Sequence, residues 1–319
     1  MSAFPARVQP SISGYRHEAL LYAGQDEFLA STASFIRDGI TAGQPTLVVV
    51  SAKKIGLLRT ILGRIAGNVE FADMTDLGAN PARIIPAWRD FVSSHAGEGH
   101  SLRGIGEPIY PERSSDELAE CHRHETLLNI AFDDTVPFWL LCPYDTTALD
   151  PAVIADAEHN HPLLIRRKTE EKSATYLGHQ AATAPFTVPL PEAPADAVAL
   201  SFGSTTLTIL RGFVSQRAAR AGFRPAAIAD LVFAVNEVAT NSVRHGGGRG
   251  ILRLWEDDSA LVCEIGDVGR LTHPLVGRER PRSEAAGERG LWLVNQLCDL
   301  VQVRSFPSGA VVRLRMRRR

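Results

Sequence analysis

Residues 231–248 read LVFAVNEVATNSVRHGGG, and this stretch decides how the second half of the chain folds. At helical spacing one broad face carries Leu231, Ala234, Val235, Val238 and Ser242. Glu237, Asn241 and Arg244 follow at i, i+4 and i+7 on a separate stripe. Three glycines come next, and glycine at a helix end allows left-handed φ angles and close backbone approach. The pattern predicts a helix over residues 226–245 with a carboxylate and an amide one turn apart.

Around this helix the sequence predicts an α+β two-layer sandwich. A helical pattern at TLTILRGFVSQRAARAGF precedes it. Strand patterns follow at GILRLW, ALVCEIGD, LVQVRS and AVVRLRM, with a further helix at ERGLWLVNQLCD. Because ALVCEIGD and VVRLRM alternate polar with apolar residues, we expect one face of this four-stranded sheet to meet solvent.

Two further motifs lie downstream of the opening stretch. EIGDVGR places Asp267 at the end of a strand and Gly269 two residues later, which presents a carboxylate beside a backbone that a flat ligand can approach. GERGLWLV places Gly287 and Gly290 at a helix start, where unsatisfied N–H groups and the helix dipole can hold phosphates. Alone, NEVATN also fits an exposed amphipathic helix with a glycine stop. NEVATN, DVG and GERGL in this order form a more specific set.

With this set, residues 200–319 resemble the GHKL superfamily of ATPases, which has a Bergerat-type ATP-binding fold. Within it they are most similar to the compact anti-sigma-factor serine kinases of bacteria. The resemblance implies that Glu237 is the catalytic base and that Asn241 binds Mg²⁺. It also implies that Asp267 binds the adenine amino group of ATP, with Gly269 allowing close approach.

The same resemblance assigns the phosphates to a glycine turn. Gly287, Gly290 and Leu291 match that turn, although GERGL places its first glycine one residue further away than the family's GxGL. Arg244 and His245 lie where they can reach phosphate or ribose, and a helix cap is the alternative role for His245. The polar segment RLTHPLVGRERPRSEAA is expected to form a lid over the nucleotide, because a loop of this length in a compact domain is usually functional. Its arginines suit either phosphate pairing or a solvated loop.

The expected activity is phosphorylation of a hydroxyl group. Glu237 suits serine or threonine, because a neutral hydroxyl benefits from a base. No helical hairpin with a phosphoacceptor histidine precedes the domain, which argues against a histidine kinase. The resemblance implies two partners, a sigma factor that the protein binds and an antagonist protein that it phosphorylates. A non-catalytic nucleotide-dependent binding module and a histidine-kinase-like enzyme stay open as alternatives.

The first half of the chain alternates helical and buried-strand patterns, which predicts a doubly wound α/β sheet. PTLVVVSA and VPFWLLCPYD are short apolar runs typical of buried strands. There is no GxxxxGK[ST] motif, so the expected fold is RecA-like without a P-loop. HEALLY, RGIGEPIY, ECHRHETLLN, LLCPYD and HNHP resemble the MEDS sensory domain over about residues 15–165. This resemblance implies a sensor of a small-molecule ligand.

A sensory site is expected among polar residues of this half. The candidate residues are His17, Glu107, Cys121, Glu125 and His161. Cys121 and Glu125 lie one helical turn apart on the same face. The spacing of these residues matches no standard metal-binding motif. Most histidine, cysteine and acidic residues in proteins exchange protons or cap helices and bind no ligand. A soft metal ion is therefore the minor alternative to a small-molecule ligand.

Composition and length suit two globular domains. The chain has 319 residues, of which 45% are hydrophobic and 22% charged, and a net charge of −2 that indicates neither direct nucleic-acid binding nor a membrane surface. Its four cysteines form no CxxC pair, which favours buried free thiols in a reducing cytoplasm. We expect a flexible arm at 1–15, the sensory domain at 16–168, a Pro/Ala linker at 169–198 and the ATPase domain at 199–319. A homodimer stays open.

Overall fold

The computed structural model describes residues 14–95, 101–178, 181, 184–257, 260–281 and 289–318. Contacts between Cα atoms divide the chain into two compact units. Unit 1 comprises Met1–Asp76, Trp88–Arg113 and Leu128–Gly178, and unit 2 comprises Leu77–Ala87, Ser114–Leu127 and His179–Arg319. Unit 2 therefore includes two segments from the first half of the chain. Residues 1–13 of the expected arm lie outside the described residues.

Helices and strands follow one another along the chain as the two halves of the sequence predict. The strands are β1 (Arg16–Tyr22), β2 (Thr46–Val50), β3 (Glu70–Asp73), β4 (Leu102–Gly106), β5 (Phe138–Asp145), β6 (Leu163–Arg166), β7 (Thr169–Lys172), β8 (Val198–Gly203), β9 (Arg249–Asp257), β10 (Ala260–Asp267), β11 (Leu300–Phe306) and β12 (Gly309–Arg317). The helices are α1 (Gly24–Thr41), α2 (Ala52–Leu62), α3 (Met74–Leu77), α4 (Ile84–Ser94), α5 (Ser115–Ala131), α6 (Pro151–Asn160), α7 (Ala184–Thr187), α8 (Leu207–Arg220), α9 (Pro225–His245) and α10 (Arg289–Leu297).

Unit 1 contains a seven-stranded sheet in the order β3-β2-β4-β5-β1-β6-β7. Its strand pairs are parallel except for the antiparallel pair of β6 with β7. The strand TLVVV is buried at every residue, as a parallel strand covered on both faces requires. This sheet confirms the predicted α/β class. The stretch RHEALLY, for which no helix or strand was predicted, is β1 and pairs with both β5 and β6.

The edge strand β7 corrects the predicted start of the linker at residue 169. Residues 169–172 pair with β6 in a hairpin whose turn holds Arg167 and Lys168 at φ 46° and 67°. Every residue of β7 is exposed, so TEEK shows none of the apolar alternation by which a half-buried strand is recognised.

Unit 2 contains a five-stranded antiparallel sheet in the order β11-β12-β10-β9-β8. Apolar side chains of α8, α9 and α10 share a core with residues from these strands. The arrangement confirms the predicted two-layer α+β class. β8 adds one strand to the four expected. It was missed because VALSFG has a single fully buried residue and follows directly on the Pro/Ala segment.

The expectation that one face of this sheet meets solvent is wrong for the central strands. Glu264 of β10 and Arg313 of β12 are each 6% exposed and form an ion pair. Arg313 also donates to the carbonyl of Pro191 at 2.6 Å, and Arg304 donates to that of Val188 at 2.9 Å. Part of the predicted linker therefore lies against the polar face. An alternation of polar and apolar residues shows only that the two faces of a strand differ chemically. Both faces can be buried when the charged side chains of the polar face are paired.

Two smaller expectations concern thiols and membranes. All four cysteines are buried free thiols, as predicted, and burial raises the pKa of Cys263 to about 12. Among the described residues, no helix combines the length and the apolar character that crossing a membrane requires.

Candidate active site

Helix α9 positions the polar stripe of the opening stretch. It begins at Pro225, whose fixed φ suits the first helical turn. Its buried residues are Leu231, Ala234, Val235, Val238, Ala239 and Ser242, and these include the whole predicted apolar face. Glu237 and Asn241 lie beside that face and are partly exposed. One turn, about 6 Å along the axis, separates them, so both side chains can reach one ligand.

The end of α9 lies directly against the side chain of Asp267. A Cβ atom on Gly246 would stand 2.4 Å from Asp267 Cγ, well inside a normal carbon–carbon contact. Gly247 and Gly248 adopt φ +86° and +83°, angles that L-residues rarely adopt. The first glycine therefore admits the carboxylate, and the next two turn the chain toward β9.

Two hydrogen bonds hold the Asp267 carboxylate in place. The Ser242 hydroxyl donates to Oδ2 at 2.5 Å, and the Gly269 N–H donates to Oδ1 at 2.7 Å. A carboxylate offers about four acceptor positions, so this one retains capacity for an amino group of a ligand. The helical spacing in the sequence assigns Ser242 only to the apolar face of α9. The signal for its role was a hydroxyl on a buried helical face, next to Asn241.

Helix α10 approaches the polar stripe through Gly290. A Cβ atom on this buried glycine would lie 2.9 Å from Glu237 Oε2 and 3.5 Å from Asn241 Nδ2. The first N–H groups of α10, which have no partner within the helix, therefore begin beside the carboxylate and the amide. Leu291 is 7% exposed and belongs to the core, where it anchors the helix.

Three other site residues remain predictions. Gly287 lies outside the described residues. Arg244 and His245 are exposed on the last turn of α9. Their contact with phosphate or ribose stays a prediction.

The described part of the expected lid contains a buried arginine. Arg278 is 3% exposed and donates to Glu120 Oε2 at 3.0 Å. Glu120, on the segment of α5 that belongs to unit 2, also accepts from Arg304 at 2.7 Å. Burial lowers the pKa of Arg278, and the charge of Glu120 opposes that shift. Arg278 therefore does not face solvent, so the solvated-loop expectation is wrong for this residue. Its pairing with phosphate stays a prediction.

In unit 1 the structure brings together two of the predicted sensory residues. The rings of His17 and His161 lie 4.0 Å apart, and Cys142 Sγ lies 3.4 Å from His17 Nε2. Cys142 is not among the sensory residues predicted from the sequence. The sequence gives little sign of a binding role for Cys142, because a single cysteine inside the apolar strand FWLLCPYD resembles a core residue.

Glu107 occupies a different place in unit 1. Glu107 accepts a hydrogen bond from the Tyr22 hydroxyl at 2.8 Å and pairs with Lys54. Burial raises the pKa of Glu107, and Lys54 opposes the shift. Tyr22 follows His17 by five strand residues, about 16 Å, so Glu107 belongs to a separate group. Cys121 and Glu125 are fully buried on α5.

Two family models match the chain. The model of the histidine kinase-like ATPase domain matches residues 203–316, which contain the α9 stripe, Asp267 and Gly290. Residues 203–316 are a histidine kinase-like ATPase domain. The model of the MEDS domain, the methanogen/methylotroph DcmR sensory domain, matches residues 16–162, and those residues are a MEDS domain.

The comparisons with curated proteins and with solved structures add little to these two matches. No curated protein matches the chain significantly. A solved structure of the RsbU and RsbW domains of a Mycobacterium tuberculosis protein matches with 18% sequence identity and a TM-score of 0.30. That match covers 40% of this chain and 33% of the Mycobacterium chain.

The ATPase domain implies ATP binding, and the residues present fit that ligand. Asp267 offers a fixed acceptor beside Gly246 and Gly269, whose missing side chains let a flat base approach. At the other end, the start of α10 offers N–H donors and the positive end of a helix dipole. An amide oxygen such as that of Asn241 is a hard ligand of the kind that Mg²⁺ prefers, so the donor set also suits magnesium.

Proposed function

We propose that this protein is an ATP- and Mg²⁺-dependent serine/threonine protein kinase and anti-sigma factor of the bacterial cytoplasm. In this proposal residues 199–319 phosphorylate an antagonist protein and bind a sigma factor, residues 16–168 sense a ligand, and the segment between them is a partly docked linker. One observation carries the kinase activity. Gly290 lies against both Glu237 and Asn241, so a base and a magnesium ligand meet the phosphate-binding start of α10.

Each residue has a defined part in the proposed transfer. Glu237 accepts the proton of the substrate hydroxyl while the hydroxyl oxygen bonds to the terminal phosphorus. The bond from that phosphorus to the bridging oxygen breaks, and the leaving diphosphate takes the electron pair. Asn241 would hold a magnesium ion, and that ion would offset the charge on the phosphates. Asp267 receives the adenine amino group and so sets the position of the nucleotide at the opposite end.

The test uses the full-length chain, labelled ATP with Mg²⁺, and candidate antagonist proteins, with transfer followed by intact-mass measurement. We expect Glu237→Gln to slow transfer by about 10²–10⁴-fold, the usual contribution of a general base, while ADP affinity stays unchanged. Glu256→Gln is the matched control, because Glu256 is an exposed glutamate of the same domain. Undiminished transfer by Glu237→Gln would remove that residue from the role of base.

Two other outcomes would replace the proposal. ATP binding that alters partner affinity, with no added phosphate on any partner, would indicate a nucleotide-dependent binding module. Acid-labile phosphate on a histidine would indicate a histidine-kinase-like enzyme. The sigma-factor role has its own test, a pull-down with and without ATP, and failure to recover any sigma factor in either condition counts against it.

A further inference from the structure

A second group of chemically active side chains lies in unit 1, inside the MEDS domain. His17 is on β1 and Cys142 is on the neighbouring parallel strand β5, with Cys142 paired to Ala19 in the strand register. Residues two apart on a strand share a face, so His17 and Cys142 project from the same side of the sheet. His161 caps α6 just before β6, the strand on the other side of β1.

Hydrogen bonds fix which nitrogen of each ring carries the proton. Asn129 donates through Nδ2 to the carbonyl of Asn160 at 2.8 Å, which leaves its Oδ1 to accept from His17 Nδ1 at 3.1 Å. His161 Nδ1 lies 2.8 Å from the Ala157 carbonyl, which can only accept. Both neutral rings therefore carry the proton on Nδ1 and a lone pair on Nε2. An imidazole whose N–H is held by a carbonyl or amide oxygen is oriented as metal-binding histidines are.

The spacing of the ligand atoms suits a tetrahedral ion. His17, Cys142 and His161 each offer an atom, and these atoms lie within 4.8 Å of one another. With Zn–N of about 2.0–2.1 Å and Zn–S of about 2.3 Å, tetrahedral geometry places nitrogen and sulfur ligands about 3.5 Å apart. The distance between His17 Nε2 and Cys142 Sγ is 3.4 Å.

We propose that His17, Cys142 and His161 bind a thiophilic transition-metal ion, of which zinc(II) is the representative, and that this ion is a ligand of the sensory domain. One thiolate and two imidazoles favour zinc or copper(I) over magnesium or calcium, which take oxygen ligands. Binding replaces the thiol proton of Cys142 with the metal and releases that proton. Water or a further protein group completes the coordination.

The surroundings of the three residues suit a closed metal site. Their exposed fractions are 1% for His17, 1% for Cys142 and 0% for His161. The Tyr15 ring stacks on His17 at 5.8 Å, and the Tyr144 ring meets His161 edge-on at 5.6 Å. Burial beside these two rings limits solvent access and strengthens the bond between a thiolate and a cation. Without a metal ion, the same arrangement is a hydrogen bond from the Cys142 thiol to His17. The experiment below distinguishes this hydrogen bond from a metal site.

The experiment uses full-length, tag-free protein stripped with a chelator and then titrated with zinc(II) alone or cobalt(II) alone. We expect one equivalent of zinc by elemental analysis, and a thiolate-to-cobalt charge-transfer band in the cobalt form. Cys142→Ala should abolish that band and weaken zinc binding by more than about 100-fold. Asn129→Ala, which removes only the group that orients His17, should retain the band and weaken zinc binding by about 10–100-fold.

Cys263→Ala is the matched control, because Cys263 is equally buried but lies in unit 2. It should bind zinc as the wild type does. Folding of each variant is checked by circular dichroism and by ADP binding to the ATPase domain. Wild-type protein that takes up no stoichiometric zinc, or a cobalt form without a thiolate band, overturns the proposal whatever the variants do.

Discussion

The contact between Gly246 and Asp267 makes the nucleotide site testable with a single methyl group. The backbone of Gly246 has φ −104°, which alanine adopts without strain. The whole effect of Gly246→Ala therefore comes from its Cβ, which would stand 2.4 Å from Asp267 Cγ. An ordinary carbon–carbon contact is about 3.5 Å, so the carboxylate must retreat by about 1 Å.

That displacement determines the expected size of the effect. The bonds from Ser242 and Gly269 to Asp267, at 2.5 and 2.7 Å, become too long to hold the carboxylate in place. A ligand amino group then loses one hydrogen bond to a charged acceptor, worth about 1.5–3 kcal/mol. At 1.4 kcal/mol per factor of ten, the affinity for ADP should fall by about 10–150-fold.

The assay is calorimetric titration of the full-length variant with ADP and Mg²⁺. Gly212→Ala is the control, since a Cβ at Gly212 of α8 meets nothing within 4 Å. In a helix interior alanine is more favourable than glycine by about 1 kcal/mol. The Gly212→Ala control should therefore bind ADP normally and unfold at a slightly higher temperature. A folded Gly246→Ala protein with wild-type ADP affinity would show that Asp267 does not receive the base.

Three further outcomes are expected. Ser242→Ala should lower ADP affinity by about 3–10-fold, because Asp267 keeps its bond from Gly269 but loses one of two positioning donors; calorimetry measures this, and no change would leave Ser242 with only a packing role. Glu120→Gln should lower the free energy of unfolding by about 3–5 kcal/mol, since it leaves buried guanidinium groups without a counter-charge; a loss below about 1 kcal/mol in thermal unfolding would contradict this. Cys263 should resist iodoacetamide at pH 8 until urea is added, because it is buried and its pKa is raised to about 12; mass spectrometry of labelled native protein tests this, and labelling without urea would refute it.

Local periodicity was sufficient to place the elements that carry the ATPase motifs. The spacing within LVFAVNEVATNSVRH defines a buried face and a polar stripe before any tertiary contact is known, and α9 has both. Ser242 and Asp267 are 25 residues apart, and their hydrogen bond depends on how α9 packs against β10. No helical or strand period encodes that packing.

Two other parts of the structure escaped prediction for different reasons. His17 and Cys142 are 125 residues apart in sequence and meet only because β1 pairs with β5. The polar face of the second sheet was expected to be exposed to solvent. Glu264 and Arg313 are buried there because they pair with each other and because Arg313 bonds to a carbonyl of the predicted linker. A hydropathy pattern records the polarity of such side chains and contains no information about their partners.

The membership of residues 114–127 in unit 2 bears on how this protein should be cut for expression. A fragment that begins at the linker contains Arg278 and Arg304 but lacks Glu120, the acid to which both bind. In such a truncation two guanidinium groups from the protein interior must either hydrate or repel each other. Failure of that fragment to bind nucleotide would then report a damaged fold, and the intact chain is the proper sample for every measurement above.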